Sequence, residues 1–248
     1  MKSLNIVTLL GSGNGLGGNT GRAVTALLKT IIEEHPNLSI DHQLFSIRDT
    51  PVAYCLGYKT CFHKGVCPLD KDDSLPEIKE KLLKADLVII GSPVYSGHTS
   101  GYLKNLIDRL SYWTHLMELA GKMCVIVVSA QGNGINETAN YLFEIASFLG
   151  MSVIGTVYKS NFYPSETIKQ QIMPIIIRLN HTIINNQVTS NQFLDSKFLE
   201  FQQLFRMIHQ KNVKKHHEAE FWANHHYLEL HDFQELIQLK KNISPYNS

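Results

Sequence analysis

The chain has 248 residues, 44% of them hydrophobic, with a formal net charge of +1. That length and composition support a sizeable core, in one large domain or a medium domain with an extension. The near-neutral balance leaves no global field to recruit nucleic acid or an anionic membrane, and it argues against a strongly acidic, freely diffusing electron carrier.

The N-terminal MKSLNIVTLL carries one Lys and a short apolar run, with no small-residue cleavage site, so residues 4–10 read as a buried strand and not a leader. Val24, Leu27, Leu28, Ile31 and Ile32 form one apolar helical stripe that Pro36 stops. Residues 39–47 read as a second strand. A cysteine-bearing segment follows, then a helix over 75–85 with Pro76 in its first turn. Further strands are expected at 85–93, 122–130 and 151–160. Helices are expected at 100–113, at 135–150 with Gly150 closing it, and at 167–184 with a kink at Pro174.

Five strand–helix alternations predict a parallel sheet covered on both faces, with a ligand beyond the carboxyl ends of the strands at the switch point. The loops after residues 10, 92 and 129 are therefore the ones to inspect. Residues 185–248 lack buried strands and read as amphipathic helices over 195–211 and 219–242. The expected division is 1–184 for the α/β domain and 185–248 for a helical extension, joined by NNQVTSNQ. No run of 18 apolar residues occurs, and four cysteines in a chain this long make no disulfide framework, so the expected compartment is the reducing cytoplasm.

GSGNGLGGNTGR (11–22) lies between the first strand and the first helix. A triphosphate loop would end in Gly-Lys-Ser/Thr, whereas Asn19-Thr20-Gly21 stands there. A dinucleotide fingerprint matches at Gly13, Gly15 and Gly18 but lacks an acid at the end of strand two, where Phe45 and Ser46 stand. A monophosphate pocket fits better. Ser12, Asn19 and Thr20 bring donors, glycines such as Gly18 let backbone N–H groups converge, and the helix start adds partial positive charge. The bland alternative is a flexible turn that caps the helix.

GSPVYSGHTSGYLKNLIDR (91–109) follows strand three. Gly91 and Pro93 are expected to turn the chain sharply, leaving Val94, Tyr95, Ser96 and Gly97 as an exposed backbone run. Such a run can hydrogen-bond the edge of a flat heteroaromatic ring while Tyr95 covers part of its face. His98 is a candidate or a solvated loop histidine.

This stretch resembles the flavin loop of the NAD(P)H-dependent FMN reductases of flavodoxin-like fold. The first loop is similar to their phosphate loop, although Gly13-Asn14 stands where they often carry Pro-Arg. The resemblance spans roughly residues 4–165. It implies a doubly wound five-stranded parallel sheet of order 2-1-3-4-5, and FMN with its phosphate at Ser12, Asn19 and Thr20. The isoalloxazine would lie against Pro93, Val94, Tyr95 and Ser96. SAQGNG (129–134) would close over its other side, with Ser129, Gln131 and Gly132 as candidates, or be an ordinary connection. It further implies NAD(P)H as co-substrate, a small-molecule electron acceptor such as a quinone or a flavin, and a homodimer. No GxSxG or HExxH occurs, and none is needed: the cofactor carries the redox chemistry, and no protein acid–base residue is assigned. The rival readings are a flavin electron carrier without NAD(P)H turnover and a flavin-free interaction module.

Relatives of this group, the iron–sulfur flavoproteins among them, resemble C-x2-C-x2-C-x5-C followed by paired acids. Here Cys55, Tyr58, Cys61 and Cys67 precede Asp72-Asp73. A four-iron cluster takes four thiolates and this segment offers three, so the reading is against a cluster or any other metal. The cysteines are then packing residues, or a site of thiol chemistry. His209, His216, His217, His225, His226 and His231 show no i, i+4 pairing suited to a metal and read as a solvated face.

Overall fold

The structure, a computed structural model, describes residues 3–46, 49–160, 167–211 and 216–243. The chain runs β1 (Ser3–Leu10), α1 (Asn19–Glu34), β2 (Ser39–Ser46), α2 (Thr60–Lys64), α3 (Leu75–Lys84), β3 (Leu87–Tyr95), β4 (His98–Thr99), α4 (Gly101–Arg109) and α5 (Ser111–Leu116). It continues through β5 (Met123–Ala130), α6 (Ile135–Phe148), β6 (Ser152–Ser160), α7 (Ile168–Asn185), α8 (Gln192–Gln210), α9 (His217–Asn224) and α10 (Phe233–Ile243). Ile47, expected at the end of the second strand, lies outside the described residues.

The sheet order is β2-β1-β3-β5-β6, all parallel, with the two-residue β4 paired antiparallel to β3. Leaving β4 aside, this is the expected 2-1-3-4-5 order. The period-2 alternation of strands sorts the side chains into two layers. Val7, Leu9, Val88, Ile90, Ile126 and Val128 face α3 through α6. Ile6, Leu10, Leu87, Ile89, Val125 and Val127 face α1 and α7. All eight residues of β5 are buried, as expected of a central strand covered twice.

Three expectations need correction. The third strand does not turn at Pro93 but continues to Tyr95, in register with β5 through Pro93↔Ser129. The turn falls at Ser96 and Gly97, both left-handed (φ 50° and 79°), a pair of conformations that closes a two-residue hairpin onto β4. The helix expected over 100–113 breaks at Leu110 into α4 and α5. The helix expected over 219–242 breaks between α9 and α10, where His226 is left-handed and Asp232 Oδ1 accepts from Glu235 N at 2.9 Å to start α10. By contrast α7 runs on through Pro174, started by a Thr167–Gln170 capping box.

Helices α8, α9 and α10 enclose a third apolar cluster centred on Trp222, which stacks on Phe198 at 5.4 Å. Met117 and Ala120, in the turn between α5 and β5, belong to the same cluster. Trp222 Nε1 donates to His115 O at 2.9 Å, His115 Nδ1 pairs with Glu218 at 2.7 Å, and Lys240 pairs with Glu118 at 3.0 Å. Among the described residues no helix is long and apolar enough to cross a membrane.

Candidate functional site

The carboxyl ends of β1, β3 and β5 form one rim. Gly11 N donates to Gly91 O at 2.8 Å, joining the first two. Thr20 and Ser129, both buried, share a hydrogen bond at 2.7 Å that joins α1 to β5. Beneath the hairpin the Ser92 hydroxyl serves several partners. It meets Thr99 Oγ1 at 2.8 Å, accepts from Ser100 N at 3.1 Å, and donates to Pro93 O at 2.8 Å as the alternative. Ser92 thereby fixes the bend where the strand enters β4 and α4.

In the first loop a 3-10 turn over Gly15–Gly17 precedes the N-cap Gly18, which offers no side chain to the helix start. The 16-residue α1 has no acid in its first turn, so its first N–H groups and partial positive charge meet no competing carboxylate. Ser12 is buried, and a Cβ on Gly18 would lie 2.9 Å from Ser12 Oγ, so glycine there keeps the serine hydroxyl in place. Asn19 is half-buried, and its Oδ1 accepts from Arg22 Nη2 at 2.8 Å. Arg22 is therefore a guanidinium at the loop that sequence reasoning missed. Its signal was a basic residue one turn into the helix, a place the search for a P-loop lysine passes over.

In the second loop Pro93 is buried within the sheet, Val94 is half-buried, and Tyr95, Ser96 and Gly97 are exposed. Pairing of Val94 with Thr99 and Tyr95 with His98 takes part of this run's backbone into the hairpin, so it is less free than expected. The third loop abuts the hairpin: a Cβ on Gly134 would lie 2.8 Å from Gly97 O and 2.9 Å from Val94 Cγ1. Ser129 is buried at the rim, while Gln131 and Gly132 are exposed. His98 leaves the rim to meet the Tyr141 ring at 4.6 Å. Burial raises the Tyr141 phenol and outweighs Lys104, so it stays protonated at neutral pH.

The cysteine segment is fastened from α4. Asn105 Oδ1 accepts from Cys55 N at 3.0 Å, and its Nδ2 donates to Val52 O at 3.0 Å. Arg109, its side chain fully buried, donates to Ala53 O at 2.8 Å, to Asp73 at 2.5 Å and to Asp70 at 2.8 Å. Burial alone would raise the Asp73 carboxyl, but Arg109 and the N–H groups of Leu75 and Ala53 outweigh it and hold it below the usual carboxylate range. Tyr102 donates to Thr50 O at 2.6 Å, and burial followed by Asp49 pushes its phenol up to about 12. Cys55 is exposed and Cys61 and Cys67 are half-buried. Burial, then the neighbouring Cys67, raises the Cys61 thiol, which disfavours a thiolate there.

A four-thiolate cluster does not fit this segment. Tyr58, exposed, stands at the second position of the expected pattern, and Cys124 is buried inside β5. Among the described residues no three His, Cys, Asp or Glu side chains are placed to hold a metal ion. The chemistry of the rim suits a phosphate-bearing ligand with a planar ring. The α1 start carries no acid, Ser12 and Thr20 stand beside it, and Gly97 and Gly132 have open space where a Cβ would be.

Two clefts lie beside the rim and away from it. One of about 480 Å³ runs between β6 and α7 and reaches the start of α6. One of about 930 Å³ lies at the opposite end of the sheet, between Asn5, Asp86, Lys122 and α10.

A doubly wound parallel sheet of this strand order, covered by helices on both faces, defines a flavodoxin-like protein. The profile of the family described as NADPH-dependent FMN reductase matches residues 4–163. The chain belongs to that family. It is 36% identical over 122 residues to an iron–sulfur flavoprotein of Methanocaldococcus jannaschii, covering 49% of this chain and 60% of that protein. It is 30% identical over 150 residues to an iron–sulfur flavoprotein of Archaeoglobus fulgidus, covering 60% and 66%. An FMN-dependent NADPH-azoreductase of Staphylococcus aureus matches at 27% over 132 residues, covering 52% and 65%. The match thus spans less than two thirds of the length of these relatives. Among solved structures, an NADH:FMN oxidoreductase in its apo form shares the fold at a TM-score of 0.53 and 17% identity, covering 77% of this chain and 93% of that one.

Proposed function

We propose that the protein binds FMN at the rim of β1, β3 and β5 and acts as an NAD(P)H-dependent oxidoreductase that passes electrons to a small organic acceptor. The observation that carries this is the start of α1, which is free of acids, capped by a glycine and flanked by Ser12, Asn19 and Thr20. The helix N-terminus and these side chains hold the phosphate. In the Thr20–Ser129 pair one hydroxyl donates to the other, so the accepting hydroxyl keeps a proton for a phosphate oxygen. Arg22, steadied on Asn19, adds a cation at the rim.

Val94, Tyr95, Ser96 and Gly97 form the edge against which the ring rests, with Pro93 beneath as part of the sheet. Gln131 and Gly132 border the other side. The bound flavin supplies the hydride-accepting chemistry; the protein orients the rings and keeps water from their faces. A protein acid is not required for that half-reaction. The four free cysteines accord with a reducing, cytoplasmic compartment, and the exposed Tyr54, Leu56, Tyr58 and Tyr95 accord with a homodimer whose second copy covers this side.

Anaerobic mixing of FMN-loaded protein with NADPH and NADH tests the reading. Rapid bleaching of the flavin absorbance is expected, and Ser12→Ala with Thr20→Val should weaken FMN binding roughly tenfold or more. FMN that binds but is not bleached by either reductant would make the protein an electron carrier. No FMN binding at all would remove the assignment.

A further inference from the structure

The 480 Å³ cleft between β6 and α7 has no role in holding a flavin, yet it adjoins the same rim. The third loop runs directly into Ile135 and Asn136, and both line the cleft. From β3, which carries the ring loop, to β6 is two strand spacings, roughly 10 Å across the sheet, and the cleft then runs down β6 from its carboxyl end at Ser160 to Arg178 at Ile154 O, roughly 20 Å along the strand. A dinucleotide whose nicotinamide lies over the ring loop is long enough for its other half to reach the cleft.

The lining has the chemistry of a nucleotide site. Tyr158, Pro174 and Ile175 give apolar surface of the kind that receives a purine face. Asn136 and Thr156 bring an amide and a hydroxyl suited to base edges and ribose. Among the described residues Arg178 is the one cation of the lining, and none of them brings a carboxylate to the cleft. Arg178 Nη1 donates to Ile154 O at 2.8 Å, which fixes the guanidinium against the sheet edge, and among the described residues it has no acidic partner. A guanidinium held by a single carbonyl retains further N–H donors for an anion.

The cleft wall is also built firmly. Gln171 bonds both backbone groups of Tyr158, accepting from its N at 2.7 Å and donating to its O at 3.1 Å. That contact fixes the tyrosine and closes the free edge of the sheet to a further strand. Gly155 lets α7 approach β6 closely, since a Cβ there would lie 2.5 Å from Ile175 Cγ1.

We infer that this cleft receives the adenosine half of the reduced dinucleotide, with Arg178 paired to its 2′-phosphate. The inference rests on the oxidoreductase reading above and deepens it, making Arg178 the residue that selects NADPH over NADH. Arg178 lies outside the two glycine-rich loops, on a helix beyond the stretch that carries the family match.

Calorimetry on the full chain reads the site without turnover, using adenosine 2′,5′-bisphosphate and adenosine 5′-monophosphate as probes. The bisphosphate should bind at least tenfold more tightly, and Arg178→Ala should abolish that preference. Tyr158→Ala should weaken both probes by a similar factor and keep the preference, which separates a lost base platform from a lost phosphate contact. In anaerobic reduction of the flavin, Arg178→Ala should lower the efficiency of NADPH relative to reduced nicotinamide mononucleotide about tenfold. Equal binding of the two probes, or an Arg178→Ala protein that keeps the wild-type preference, overturns the inference and leaves the oxidoreductase reading standing. Failure of that reading looks different: no reductant bleaches the flavin, while the calorimetric preference at Arg178 is still measured.

Discussion

Gly134 joins the third loop to the hairpin, and its backbone leaves no room for a side chain. Its φ is 86°, in the left-handed region, and a Cβ would press on Gly97 O and Val94 Cγ1. Gly134→Ala should therefore destabilise the protein by about 1–3 kcal/mol, lower the denaturant midpoint and weaken FMN binding by displacing Gly97. Gly132→Ala is the control: nothing lies within 4 Å of its Cβ position, and a change in midpoint as large as that of Gly134→Ala would refute the clash account. At this scale the sequence was legible where side-chain type and position coincide. Ser12 and Thr20 stand at a strand–turn–helix junction, and both prove to be buried beside the helix start. Arg22 was not legible, because its place depends on an i, i+3 bond to Asn19 that no motif encodes. Pro93 was misjudged as a turn former. Its missing N–H is tolerated within the sheet, and the Ser92 hydroxyl ties the backbone beside it to Thr99 and Ser100.

Among elements, α4 does more than cover the sheet, since Asn105 and Arg109 on its inner side hold the cysteine segment to the body. With Arg109 fully buried and Asp73 nearly so, Arg109→Ala leaves a buried carboxylate unpaired and should cost about 3–5 kcal/mol. The same pair sets an acid limit. The folded-state pKa of Asp73 is depressed, so its stabilisation is present above the unfolded carboxylate value of about 3.9 and is lost as pH falls through the lower folded value. Labelling of Cys61 and Cys67 by a thiol reagent, sampled from neutrality downward and normalised for reagent reactivity, should stay flat to about pH 4 and then rise. Asp73→Asn should label faster at neutrality and lose most of the acid step; an unchanged profile would show that the pair does not hold the segment. The buried strands were legible as continuous apolar runs, and the helices as stripes. The breaks at Leu110 and near His226 were not, because neither carries the glycine or proline that marks a boundary locally. Packing places them: α5 and α9 meet through the Trp222–His115 bond, which needs both helices short and reoriented.

Across the whole molecule, the open question is how far residues 185–248 act as a unit. The sequence showed amphipathic helices rich in aromatics but not their docking partner, since an apolar face looks the same whether it meets its own chain or another. The described contacts tie the helices to the body at α5 and the turn after it, through Trp222, Glu218 and Lys240, with Met117 and Ala120 sharing their core. Burial of Trp222, Phe198, Phe205 and Phe233 contributes roughly 2–3 kcal/mol per side chain, which a free set of short helices would lose in water. We therefore expect the extension and the α/β body to unfold together. The chain's two tryptophans report the two parts separately, because Trp113 lies in the core of the body and Trp222 in that of the extension. Trp222→Phe leaves fluorescence from the body alone, and Trp113→Phe leaves it from the extension alone. In each variant the fluorescence and far-ultraviolet circular dichroism transitions in urea should coincide, since one cooperative unit gives one midpoint by every probe. If Trp222 fluorescence changes at a lower urea concentration than the circular dichroism of the same variant, the helices form a separately unfolding unit. The contacts at His115 and Glu118 would then be a surface docking without thermodynamic coupling.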